Sequence, residues 1–335
     1  MPLMMLLCSC EDPIVEPVDD DEDIEVVPDT IPVSSVSLDC TKALLKPDEQ
    51  LVLTASLAPE DATDQTVVWS SSDESVASVA DGVVTALRSG KTTITALAGE
   101  IVAECKIAVT GPAEAVDLGL EVKWASWNVG ASCPEDFGDY YAWGEIEPYY
   151  TNAASQSIGQ SIWREGKENG YDWTSYRWCD GTANYMTKYC TNAKYGDIDK
   201  KKGLDLADDV AHAEWGDKWR MPTRNDFNKL KSYCTWTWTK ENGVEGFRVT
   251  SKIEGYTDKS IFIPAAGLRG QMYLSFVGNF GYYWTSSLTT TTMSNAYEFY
   301  FANGGSPALN NESRCFGRTV RPVYDPELVE DEEDE

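Results

Sequence analysis

The chain has 335 residues, room for two or three domains with their own cores. It carries 55 acidic against 27 basic side chains, a net charge of −28, and a single histidine, His212. That balance repels phosphate backbones and excludes nucleic acid as a partner, while one histidine excludes any multi-histidine metal centre. The charge is uneven: residues 11–30 hold ten acids and residues 325–335 hold eight, with no base in either, so the body carries only about −10.

Residues 1–10 open as a short apolar run, Met1 to Ser9, that ends Leu7-Cys8-Ser9-Cys10. Such a run is too short to span a bilayer. It resembles a bacterial lipobox, although it lacks the basic region expected of a secretory signal. The resemblance implies acylation at Cys10, and the Glu11-Asp12 next to it resembles the surface-export signal of Bacteroidetes lipoproteins. Together they imply a surface-exposed lipoprotein of the cell outer membrane, held there by its lipid. Residues 11–32, rich in Pro, Asp, Glu and Val without periodicity, read as an acidic disordered linker. Such a segment extends about 3.1 Å per residue and lifts the folded domains off the membrane.

Over residues 33–110, Leu51, Leu53, Ala55 and Leu57 alternate with polar neighbours, the period of a half-buried strand. Asp81-Gly82, Ser89-Gly90 and Gly99-Glu100 punctuate further short strands, as in an all-β sandwich. Trp69-Ser70-Ser71-Ser72-Asp73, then Val76, Val79, Gly82, Val84, Gly90 and Ile94, resembles the bacterial Ig-like group 2 module. Cys40 in the first strand and Cys105 in the last are candidates for a disulfide where the end strands meet, two buried thiols being the alternative. Nothing in the module has catalytic character, so it reads as a stalk.

Gly111-Pro112 ends the sandwich, and residues 117–324 form a second unit before the acidic tail, 325–335. Its organising stretch is Trp219 to Leu230. Thr223 stands at a helix N-cap position with Asp226 three residues on, while Phe227 and Leu230 share the face to be buried. Helices are predicted from Pro222 to Tyr233 and near Leu204 to Trp215, with Trp124, Trp143, Trp219 and Trp284 in the core. The stretch resembles the Arg-Leu-Pro-Thr-x-x-Glu-Trp segment of the C-type-lectin-like and formylglycine-generating-enzyme superfamily, in particular the Fibrobacter-type paralogous domain. Asp139 to Glu145, Ile261 to Gly267, Tyr283 to Ser287 and Gly317 to Val323 carry the same resemblance. The fold class expected is therefore multidomain, an all-β Ig-like sandwich followed by an α+β C-type-lectin-like domain.

The chemistry of that superfamily lacks its residues here. The formylglycine-generating type needs two neighbouring cysteines late in the domain, and only Cys315 lies there; the sulfoxide-synthase type needs a histidine cluster. Asp197 and Asp199 begin like a calcium loop, but Lys201 and Lys202 occupy positions that want an acid and a glycine. No cofactor or metal is implied, and the chain reads as a non-enzyme. Five cysteines fall in this domain, so one at least stays unpaired; Cys190 with Cys234 is the preferred bridge. What remains is a surface. From Gly270 to Arg314 the chain is dense in Tyr, Asn, Ser, Thr and Gly, the composition of antibody paratopes. Tyr273, Phe276, Asn279, Tyr282, Asn295, Asn303, Asn310 and Asn311 are the candidate ligand-binding residues, for an extracellular glycan or protein ligand. A structural envelope or fimbria-like subunit is the alternative reading, followed by an enzyme of unrecognised chemistry on the formylglycine-generating-enzyme-like fold that the resemblance implies.

Overall fold

A computed structural model describes residues 30–148, 170–271 and 273–329. Cys10 and most of the acidic linker lie outside the described residues, as does the end of the tail.

The first domain is built from β1 (Ser35–Leu38), β2 (Lys42–Leu45), β3 (Gln50–Val52), β4 (Ala55–Ala58), β5 (Val68–Ser71), β6 (Ala77–Ala80), β7 (Val83–Ala86), β8 (Gly90–Ala98) and β9 (Ile101–Val109). Its sheets run β2-β9-β8-β5, β3-β7-β6 and β1-β4, with β2 parallel to β9 and every other pair antiparallel. Between them Leu45, Leu53, Val76, Val84, Ile94, Ile107 and Val109 form one buried cluster. The alternating stretch from Leu51 to Leu57 is not one strand. The chain leaves the β3 sheet at Leu53 and joins β1 as β4, so that the same apolar face serves two sheets. Gly82 has no substitute: its φ is +80°, and a β-carbon there would sit 2.6 Å from the Leu53 carbonyl oxygen. The last linker residues are also tied down, since Thr63 N–H donates to the Ile31 carbonyl at 2.9 Å.

The second domain opens with β10 (Ala115–Val116) and β11 (Lys123–Ala125), then α1 (Val210–Trp215), β12 (Trp219–Arg220) and α2 (Arg224–Tyr233). After α2 come β13 (Cys234–Glu241), β14 (Val244–Ser251), β15 (Ser260–Pro264), β16 (Leu268–Gly270), β17 (Tyr273–Ser275), β18 (Phe280–Leu288), β19 (Asn295–Ala302), β20 (Ala308–Ser313) and β21 (Val323–Tyr324). The sheet β10-β11-β21-β12 joins the first and last strands and closes the unit. It follows that this domain begins at Ala115, two residues before the sequence boundary. Its other sheets are β13-β14-β15, β16-β17 and β18-β19-β20. Strands dominate over the two helices, and no described helix is long and apolar enough to cross a membrane.

Helix α2 forms as the sequence predicts. The Thr223 hydroxyl accepts from Asp226 N–H at 3.2 Å, and the Asp226 carboxylate accepts from Thr223 N–H at 2.7 Å, a reciprocal capping box. Phe227 and Leu230 are fully buried, with Phe227 stacked on Phe299 at 4.4 Å and tilted against Trp124 at 5.0 Å. The helix expected from Leu204 is shorter. A 3-10 turn, Leu206–Asp208, precedes α1, because the Asp209 carboxylate caps it by accepting from Ala211 and His212 N–H. The same carboxylate accepts from Met221 N–H at 2.8 Å, and burial pushes its pKa up to about 6.

Trp124, Trp143, Trp219 and Trp284 are all core residues, as expected. Sequence reasoning did not foresee the company they keep: Arg269, Arg314, Arg318 and Arg321 are each at most 1 % exposed. Arg318 pairs with Glu298 at 2.6 Å, and Arg321 donates to the Asn128 side chain at 2.7 Å and to the Ala125 carbonyl at 3.0 Å. The start of the acidic tail is likewise structural, since Asp325 accepts from Arg220 at 2.8 Å.

Candidate recognition face

The outer face of the β18-β19-β20 sheet is assembled from residues far apart in sequence. Phe280 and Tyr282 lie two apart on β18 and so share a face. Antiparallel register sets Tyr300 of β19 opposite Tyr282, with Ala308 of β20 beyond it, and sets Asn310 opposite Glu298. The rings form a row: Phe276–Phe280 at 5.5 Å, Phe280–Tyr282 at 5.9 Å and Tyr282–Tyr300 at 6.3 Å, the last two pairs within 20° of parallel.

Phe276 ends the row in an unusual way. Its φ is +64°, a left-handed conformation that costs a bulky residue strain, and its side chain is nonetheless 53 % exposed. The turn fixes it there, because Asn279 and Phe280 N–H both donate to the Phe276 carbonyl, at 3.1 and 3.0 Å. Beside it the β16–β17 hairpin presents Tyr273, 70 % exposed, together with exposed Leu274 and Val277.

Beneath the row lies the Arg318–Glu298 pair, each side chain 2 % exposed. The guanidinium packs against Tyr282, Trp284 and Phe316 at 5.2–5.5 Å. Burial, with the Glu298 charge second, raises the Tyr282 hydroxyl above the usual phenol range. Asn310 donates to the other Glu298 oxygen at 3.4 Å. The face has a rim of amides and hydroxyls, and the ions beneath it are paired with each other. The whole stretch from residue 271 to 297 holds no Asp, Glu, Lys, Arg or His.

The eight candidate residues divide. Tyr273, Phe276, Asn279, Tyr282, Asn303 and Asn310 gather on or beside this face, with Asn303 N–H donating to the Asn279 carbonyl at 3.2 Å. Asn295 and Asn311 do not belong to it; they bond one another at 3.0 Å on the opposite side of the sheet. Phe280 and Tyr300 were missing from the set. The period of two around Tyr282 could have found Phe280, but only the pairing register places Tyr300.

The described cysteines are free thiols. Cys40 and Cys105 do meet, each within reach of the other, and burial pushes Cys105 up to about 12. The preferred Cys190–Cys234 bridge is corrected: Cys190 packs with Met186 and Met293, while Cys234 packs with Leu230 and Phe247 in a different cluster. The aspartates of the failed calcium motif are engaged by protein, Asp197 by the Tyr185 hydroxyl and Asp199 by the backbone amides of Tyr189, Cys190 and Lys201. His212 lies 3.2 Å from the Trp219 carbonyl. Among the described residues no three His, Cys, Asp or Glu side chains converge as a metal site. A cavity of about 270 Å³ opens where the two domains meet, with Lys46 bonded across it to Glu214 at 3.1 Å.

Residues 32–109 match the bacterial Ig-like domain (group 2) and are such a domain. Short matches tie the chain to an alpha-L-arabinofuranosidase of Bifidobacterium longum, 41% identical over 86 residues, 25% of this chain and 8% of that one. An Ig-like virion protein of Serratia phage KSP90 is 35% identical over 106 residues, 30% of this chain and 41% of its own. The chain thus spans well under half the length of these relatives. Among solved structures, domains 4 and 5 of the S-layer protein SbsC align with a TM-score of 0.21 and 19% identity over 23% of this chain and 51% of that one. SbsC domains 5-6 give 0.21 and 11% over 84% and 96%. Scores this low assign no fold to the second domain.

Proposed function

We propose that this chain is a surface-anchored binding protein. Lipid at Cys10 holds it to the outer membrane, the acidic linker and Ig-like domain form a stalk, and a C-type-lectin-like head recognises an extracellular glycan or protein. The observation that carries the reading is the uncharged aromatic face, with Phe276 held outward against its backbone preference. Exposed large rings are costly in water, and proteins keep such patches where a partner covers them. The Bifidobacterium arabinofuranosidases and the phage virion protein share short Ig-like matches with this chain, in keeping with a module that carries other domains.

The head performs no chemistry in this reading. The test has two parts. Surface proteolysis of intact cells should shave the head off, and Cys10→Ala should release the protein from the membrane fraction. Purified protein should retain a ligand from host mucin or glycan preparations, and Phe276→Asn with Tyr273→Ala should abolish retention. Turnover of a substrate by the purified head would sink the proposal. A fimbria-like assembly has one observation in its favour, the edge position of β20, whose central Asn310 and Asn311 are exposed; concentration-dependent polymers of purified protein would favour it.

A further inference from the structure

We infer that the aromatic face takes a neutral carbohydrate chain, an inference that rests on the recognition reading and names its ligand class. Stacked rings that bind flexible polymers serve two chemistries, bases on a polyanion or the C–H faces of sugars. The first is excluded by charge: the chain is strongly acidic, and the cation beneath the row, Arg318, is buried and paired with Glu298. An anionic glycan meets the same objection.

Complementarity favours a ligand with no charge at all. Between Gly270 and Ser313 the only Asp, Glu, Lys, Arg or His residues are Glu298, which is neutralised, and Glu312. A peptide brings charged side chains, and the row of rings offers them no free counter-ion. A pyranose offers an apolar C–H face bordered by hydroxyls. The rings of Phe276, Phe280, Tyr282 and Tyr300 repeat at 5.5–6.3 Å and supply an apolar track. Asn279, Asn310 and the tyrosine hydroxyls give uncharged donors and acceptors along it. Such contacts cost little side-chain entropy, because aromatic rings have only two rotatable bonds.

The experiment is affinity electrophoresis of the full chain through gels containing xylan, mannan, mixed-linkage β-glucan or dextran. Polygalacturonate serves as the anionic arm and deglycosylated mucin as the protein arm. At least one neutral polysaccharide should retard the protein. Its dissociation constant should change less than about twofold between about 50 and about 500 mM sodium chloride, since no ion pair is formed. Phe276→Asn removes the ring but tolerates the left-handed backbone, and it should weaken binding about tenfold or more, with Phe276→Trp retaining it. An unchanged melting temperature in Phe276→Asn separates lost contact from lost fold. Retardation by polygalacturonate alone, or steep salt dependence, would overturn the carbohydrate assignment. Binding of deglycosylated mucin alone, lost in Phe276→Asn, would also overturn it yet leave recognition standing. No retention in any arm would remove both.

Discussion

In the Ig-like domain the buried cluster is aliphatic apart from Cys105, and Ser89 and Thr92 are the only buried polar residues among those described there. In the head the core holds whole tryptophans, four arginines and several carboxylates, tied by contacts more than a hundred residues apart, such as Trp143 N–H to the Thr285 carbonyl at 2.8 Å. The difference follows from how much chain runs outside the strands. Strands β8 and β9 pair over nine residues and satisfy their own backbone. The head has paired strands as long, β13 with β14 over eight residues, but between β11 and β12 its described residues form only short helices and irregular chain, and such loop carbonyls need donors that long side chains reach. Arg314 shows this: its guanidinium is fully buried over Trp143 and Tyr176 and reaches the Lys188 and Tyr189 carbonyls at 3.3 and 3.4 Å.

The sharpest way to break this comparison is to cut the aromatic core. Phe227→Ala should cost about 3–5 kcal/mol, on the head's melting transition alone. A calorimetric scan in which the Ig-like domain shifts equally would show that the two are one cooperative unit. Next, Arg318→Met strands Glu298 in the interior and should cost about 3 kcal/mol or more, with Glu298→Gln in the same chain recovering most of it. Urea titrations of the three variants decide this, and an additive double variant would mean that the pair does not act as a unit. Thr223→Ala removes half of the capping box and should cost about 1 kcal/mol, read from the same titrations.

The smallest expected effect concerns pH. Burial raises Asp209 in the folded state to about 6 from its ordinary 3.8. The folded chain therefore binds this proton more tightly than the unfolded one, and stability from this group is greatest in acid and declines as pH rises toward 6. Relative to Asp209→Asn, the wild type should gain melting temperature as pH falls from about 7 to about 5. Parallel curves for the two proteins would show that the carboxylate stays ionised in the fold.

Much of this molecule is legible from the chain alone. The capping box at Thr223 and Asp226, the buried pair Phe227 and Leu230, the hairpin at Asp81-Gly82 and the Ig-like pattern are local, set by neighbours within a few residues, and period and turn chemistry report them directly. The face is legible only in composition. Asn295 and Asn311 look like Asn303 and Asn310 in the sequence, and only strand register sends the first two to the other side of the sheet. The same holds for Cys190 and Cys234, and for the Arg318–Glu298 pair, twenty residues apart and on different elements. Local sequence determines which side chains alternate along one strand. Which strand lies beside it is a matter of long-range packing, whose partners are chosen by shape and burial across the whole fold.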